Sequence, residues 1–406
     1  MDRSPPGRGG WRGCCADPGT EGGLMRLHRV QALGPNGLTE PRDVDLPVDH
    51  ADVDATGLVL SPGWCDLHAH LREPGFPEKE TLATGAAAAA AGGFTQVVAM
   101  ANTQPVTDTA DRLRANLARA RDLPVRVMFV GALTEGLEGR RPTDAVALQA
   151  AGAVALSDDG RHALDLQTLV GALQHASATG LPVLIHPQDE SLGSQPEAEL
   201  AAVEQAVAAL RQVPRARLHL QHVSLAAALP MIAKAKRDGL ALTAEVTPHH
   251  LWLTEDALRR WGPLAKVNPP LRTEADVAAL RGALIDGTID IVATDHAPHQ
   301  AAAKRDAETA APGISGFETA AGMLLTLRLP WPVLYRACVA LPRAILGIPL
   351  SPDWILIDPA ETWAVEPDRF LSRGRNTPMT GTRLSGRVRI TICHDRVVHH
   401  AEVPVG

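Results

Sequence analysis

The chain has 406 residues, 45% of them hydrophobic and 21% charged, with a net charge of −7. That length can bury a large core, as one barrel-sized domain or two smaller ones. The acidic balance argues against nucleic acid or an anionic membrane as the main partner, no apolar run reaches the roughly 20 residues of a membrane span, and five scattered cysteines without CxxC spacing suggest a reduced cytoplasm and no structural zinc knot.

Residues 1–24 are rich in Pro, Gly and Arg and lack the apolar core of a secretory signal. They read as a disordered tail, or as upstream sequence ahead of a start at Met25. Residues 25–60 carry short alternating runs that suggest antiparallel strands. A second pattern then sets in, of short apolar run, polar turn and amphipathic or alanine-rich stretch. Its strand candidates are "GLVLSPGWCDLH", "FTQVVAMAN", "VRVMFVGAL", "GAVALSDD", "LPVLIHP", "ARLHLQHVS", "LALTAEVTPHH" and "IDIVATDHAPH". Helical candidates lie between them, among them "EKETLATGAAAAAAGG" and "EAELAAVEQAVAALRQ", and several end at Gly, the usual C-terminal stop. Alternating strands and helices indicate βα units and a parallel sheet, and eight such strands match a closed (β/α)8 TIM-type barrel. An open doubly wound sheet is the other architecture. Residues 327–347, interrupted by prolines, read as a helical connection, and "WILIDP" and "RVRITICHDRVV" return to strand. The expected organisation is a barrel over 61–348, with a small β-sandwich built from the flanks 25–60 and 349–406.

The strand ends carry the chemistry. In "DLHAHLREPG", His68, His70 and Arg72 stand two apart, so on an extended strand they share a face. Two imidazoles held so can chelate a metal, and a guanidinium can grip an anion bidentately. Asn102 ends the second strand, Asp158-Asp159 the fourth, His186 the fifth, His222 the sixth and Asp295 the eighth. Singly, each has an ordinary explanation: a turn cap, a helix N-cap, a satisfied core histidine. Five strands ending in His or Asp are hard to obtain from turn chemistry, and in a parallel barrel those ends share the face that holds active sites. Four histidines with one or two carboxylates suffice for one or two zinc-like ions. Arg72, Asn102, Asn268 of "KVNPPLR" and His299 of "TDHAPH" add donors for an acidic ligand with carbonyl groups; His249-His250 read as structural or as residues that support the ligands from behind.

Taken together, "PGWCDLHAHLREPG", "AMANTQPVTD", "ALSDDG", "LIHPQDESL", "AEVTPHHLWLT", "KVNPPLR", "ATDHAPH" and "RNTPMTGTRLSGRV" resemble the amidohydrolase superfamily, and within it bacterial type I dihydroorotase, in family order over roughly residues 55–390. The resemblance implies that His68 and His70 bind one Zn2+ with Asp295 nearby, that His186 and His222 bind a second, and that Asp159 bridges them, with Asp158 as the alternative. Asp295 would be the catalytic proton carrier. Substrate contacts would fall on His70, Arg72, Asn102, Asn268, His299 and the Pro312-Gly313 backbone. The implied reaction is reversible hydrolysis of (S)-dihydroorotate to N-carbamoyl-L-aspartate in pyrimidine synthesis, with a homodimer or a complex with aspartate carbamoyltransferase as the assemblies left open. Two alternatives stand beside it: a hydantoinase- or allantoinase-type enzyme, which would use a carbamylated lysine that "AVALSDDG" lacks, and an inactive structural partner of aspartate carbamoyltransferase, which should have lost ligands. The chain departs from the family in a short 194–217 region, in Pro-Gln after His186, and in reduced flanks.

Overall fold

The computed structural model describes residues 23–48, 51–160 and 165–401, so the expected tail lies almost wholly outside it. The N-terminal flank forms β1 (Met25–Gly34), β2 (Gly37–Leu38), β3 (Arg42–Leu46), β4 (Ala51–Asp54) and β5 (Val59–Pro62). β1 changes partners midway. Met25–Leu27 pair with β3 and β4, while Gln31 and Ala32 pair with β5. The switch falls at Arg29, whose φ of 58° bends the strand between the two sets of partners. Met25, Leu27, Val30, Leu46, Val53 and Leu60 are buried together in the fold this creates.

The expected first barrel strand turns out to be two strands. "GLVLSPGWCDLH" breaks at Gly63 into β5, which stays with the flank, and β6 (Trp64–Ala69), which opens the barrel. Pro62 cannot donate to a ladder, and a Cβ at Gly63 would stand 2.1 Å from the Thr95 hydroxyl, so the chain passes through a gap that only glycine fits.

From there the alternation holds: α1 (Leu82–Ala91), β7 (Phe94–Ala99), α2 (Ala110–Arg119), β8 (Arg126–Gly131), α3 (Ala145–Ala151), β9 (Ala155–Ser157), α4 (Leu166–Ser177), β10 (Pro182–Ile185), α5 (Pro196–Gln212), β11 (Arg217–Leu220), α6 (Leu229–Arg237), β12 (Leu242–Val246), α7 (Asp256–Trp261), α8 (Glu274–Asp286), β13 (Ile291–Val292) and α9 (Phe317–Thr326). The strands β6 to β13 pair in sequence order, all parallel. A bridge between Ala69 and His296 completes the ring, supported by the bond from His70 N to His296 O at 2.8 Å. Asp66 pins the same seam, accepting from Thr294 N at 2.9 Å and His68 N at 3.2 Å. Small residues bring α1 close to the barrel: Ala86, Ala88, Ala89 and Ala90 are all buried. After α9, α10 (Trp331–Leu334) and α11 (Leu341–Leu346) lead to β14 (Trp354–Ala364), β15 (Arg383–Cys393) and β16 (Arg396–His400). β14 pairs with β5, which joins the two chain flanks in one mixed sheet. Among the described residues no helix is long and apolar enough to cross a membrane.

Candidate metal centre

The C-terminal ends of the barrel strands converge on the Asp159 carboxylate. One of its oxygens lies 3.2 Å from His68 Nε2, 3.9 Å from His186 Nδ1 and 4.0 Å from His222 Nε2, and the other lies 3.4 Å from His70 Nε2. Two sets of donors therefore share this residue: His68, His70 and Asp159 on one side, and Asp159, His186 and His222 on the other. Asp295 stands on the first side, 3.1 Å from His70 Nε2 and 3.6 Å from His68 Nε2. All of these side chains are buried.

Asp158, the alternative ligand, is used elsewhere. Its carboxylate accepts from Leu133 N at 2.8 Å and Thr134 N at 2.9 Å, and from the Thr134 hydroxyl, so it ties the end of β9 to the end of β8.

Neighbouring groups select the nitrogen that each imidazole presents. His68 Nδ1 donates to Glu245 at 2.7 Å, His70 Nδ1 donates to Asn102 Oδ1 at 3.1 Å, and His186 Nε2 donates to Gln188 Oε1 at 2.8 Å. Each ring then turns its other nitrogen towards Asp159, the one a metal would take. His186 Nδ1 and His222 Nε2 face each other at 2.8 Å.

The electrostatics suit a cation. Burial opposes ionisation of Asp159, yet the His68 charge and hydrogen bond hold its carboxyl well below the usual range. Asp295 is likewise lowered against burial, by the His68 charge and by its contacts with His70. Burial would depress His68, but Asp159, Glu245 and Asp295 outweigh it and raise its pKa well above the ordinary value. His222 faces mostly imidazoles, so burial dominates and pushes it down to about 3. Buried carboxylates gathered with buried imidazoles are the donor set of a zinc-type ion, which would take the place of the His68 proton.

Backbone strain gathers at the same place. His222 (φ 29°), Asp295 (φ 46°) and Arg72 (φ 60°) have left-handed conformations that side-chain-bearing residues rarely adopt. Glu245 holds one of them, accepting from His222 N at 3.1 Å while also fixing His68.

The other sequence-stated positions divide. The strand alternation expected through Arg72 ends at Ala69, because the chain turns at Leu71 and Arg72. Arg72 instead lies towards the loop after β13, with Nη2 3.3 Å from His299 Nε2 and Nε 3.4 Å from Pro298 O. Burial lowers its pKa to about 10, which leaves it fully charged at neutral pH. His299 Nε2 is closer to Pro312 O, at 2.9 Å, so that nitrogen carries the proton and cannot accept from Arg72. The Asn102 amide is engaged with His70 and Asp159, and Asn268 Nδ2 donates to Gln188 Oε1 at 2.6 Å. Both asparagines thus brace the side chains around the metal donors. His250 is structural, bonded to Thr247 and to Pro269 O.

Sequence reading passed over Glu245, Gln188 and Asn376. Glu245 left a signal, a carboxylate inside the apolar strand run "LALTAEV"; the other two lie in loops, within the quoted "LIHPQDESL" and "RNTPMTGTRLSGRV", with no spacing that points to the site.

A parallel barrel that gathers histidines and carboxylates at its strand ends in this way defines the class: a barrel of the amidohydrolase superfamily. A family model described as dihydro-orotase-like matches residues 57–231. The dihydroorotase of Thermus aquaticus is 43% identical over 93% of this chain and 99% of its own length, and that of Anaeromyxobacter dehalogenans is 43% identical over 88% and 90%. The chain belongs to the dihydroorotase family. Among solved structures, an L-hydantoinase (dihydropyrimidinase) from Arthrobacter aurescens has a TM-score of 0.84 at 24% identity, covering 94% of this chain and 97% of that one. The dihydropyrimidinase from Brevibacillus agri reaches 0.81 at 21% identity, covering 93% and 95%. At such identities the likeness carries the fold alone.

Proposed function

We propose that this protein hydrolyses (S)-dihydroorotate reversibly to N-carbamoyl-L-aspartate, with zinc held by His68, His70, Asp159, His186, His222 and Asp295. The observation that carries this reading is the sharing of Asp159 between two histidine pairs, beside the half-buried cation Arg72. A divalent cation supplies Lewis acidity there and brings the pKa of water towards neutrality.

The chain's own residues do the rest. Arg72 grips the substrate carboxylate with its guanidinium fork. The His299 imidazole, pushed down to about 3 by burial and then by the Arg72 charge, stays neutral, and its unpartnered Nδ1 is the acceptor it can offer a ligand. Asn102 holds His70 directly, and Asn268 holds His186 through the Gln188 oxygen that both donate to. Asp295 is ionised throughout the working range, so one carboxylate oxygen can take a proton from water and hand it to the departing amide nitrogen. The burial of the donor side chains keeps bulk water from competing for their charges.

Dihydroorotate turnover and metal content, measured on the purified protein and on Asp295→Asn, test this. Asn keeps the shape but not the basicity, so turnover should fall by at least about a hundredfold with most metal retained. Wild-type turnover in that variant would assign the proton transfer to another group. A hydantoin used faster than dihydroorotate would overturn the substrate.

A further inference from the structure

The connection between β14 and β15 makes a long excursion. Its two ends meet where Val365 N bonds Thr382 O at 3.0 Å, and between them the chain crosses to the mouth of the barrel. Two barrel carboxylates hold its backbone. Glu318, in the first turn of α9, accepts from Leu371 N at 2.8 Å and Ser372 N at 3.3 Å. Glu80, just ahead of α1, accepts from Arg373 N at 3.1 Å and from the Ser372 hydroxyl. At Gly374 the approach is so close that a Cβ would stand 2.4 Å from Pro298 Cβ and 2.6 Å from Ser315 Oγ.

Two residues on, Asn376 is buried with every hydrogen-bonding position used. Its Oδ1 accepts from His299 N and from Ser315 Oγ, both at 2.8 Å. Its Nδ2 donates to Ala297 O and to Gly313 O, both at 3.0 Å. Ala297 and His299 lie on the loop that leaves β13, whereas Gly313 and Ser315 lie on the return loop before α9. One amide therefore spans both loops. A planar group with two donor and two acceptor sites is what this position demands, and a carboxylate or hydroxyl cannot supply it. None of its bonds goes to a metal donor.

We propose that Asn376 is a positioning residue for substrate binding. Carried in from the accessory sheet, it fixes the spacing between the His299 imidazole and the Pro312-Gly313 backbone, and so sets affinity rather than the chemical step. This rests on reading those two loops as substrate contacts.

Asn376→Asp keeps the size and both acceptor roles but sets a carboxylate oxygen against two carbonyls; Asn376→Ala removes all four bonds. Steady-state kinetics with dihydroorotate, metal content and thermal melting would be measured for both, alongside His299→Ala. Both Asn376 variants should raise KM about tenfold or more, with kcat within about threefold of wild type and metal content unchanged. A residue that only stabilises the fold would shrink the active fraction, lowering apparent kcat with KM unmoved, and that result overturns the proposal. If the Ala variant fails to fold, the near-isosteric Asp variant decides. An unchanged KM in His299→Ala would remove the substrate reading of the loops and the proposal with it. A raised KM there, with normal KM in the Asn376 variants, would overturn the positioning role alone.

Discussion

Asp158 and Asp159 are adjacent, and the fold gives them opposite tasks. Asp158 turns to the backbone after β8, where burial raises its pKa to about 6 in spite of the hydrogen bonds it accepts. Asp159 faces four imidazoles, and against burial the His68 charge and hydrogen bond do most to hold it ionised. The difference is one of direction from the strand end, which composition cannot encode. Arg72 makes a similar point. Two-residue spacing suggested a shared strand face with His68 and His70, but its left-handed φ turns it to Pro298 and His299. That position suits a partner to a carboxylate that dihydroorotate has and simple hydantoins lack. Arg72→Lys keeps the charge but loses the fork, so the KM for dihydroorotate should rise about tenfold. Metal content, and any turnover of an uncharged cyclic ureide, should stay level; equal losses on both substrates would make Arg72 a scaffold residue instead.

The loops after β13 lack regular structure over most of their length, and backbone capping holds them. Lys304 is 5% exposed, and its Nζ donates to Lys266 O at 2.9 Å and Pro263 O at 3.3 Å. Lys266 reaches back, with Nζ 3.1 Å from Ala307 O and 2.8 Å from Glu308 O. These cross-ties join the "KVNPPLR" segment to the loop that carries His299. Burial, reinforced by the Lys266 charge, pushes the Lys304 pKa down to about 7 from an unfolded value of 10.5. A lowered amine pKa means that folding releases a proton between those limits, so stability should climb as pH rises from about 7 towards 10.5 and level off below 7. Lys304→Met lacks this titration. Measured by urea unfolding at pH 7 and pH 10, wild type should gain stability relative to the Met variant at the higher pH; parallel behaviour at both would mean that the ammonium is better solvated than its burial implies.

Across the whole molecule, the site depends on contacts between residues far apart in sequence. His68 meets Asp295 and Glu245, and Asn376 reaches the barrel from beyond β14. A cation held by five strand ends should therefore stabilise the assembled barrel, because it binds the folded chain and finds no such site in the unfolded one. Chelation should lower the melting temperature by several degrees, roughly the response to a few kcal/mol in a large domain. Added zinc should restore it, and an identical melting curve with and without chelator would remove the cation from the fold's energetics.

The sequence by itself determined the alternation of eight strands with helices, because period-two and period-3.6 burial is written locally, and it located His68, His70, His186, His222 and Asp295 as residues at strand ends. The resemblance favoured Asp159 over Asp158, but the tertiary structure decided what each of the two faces, that one apolar run divides between two sheets, and that Glu245, Gln188 and Asn376 brace the site. Those outcomes rest on backbone direction at single residues and on hydrogen bonds between distant segments, and neither leaves a period in the chain.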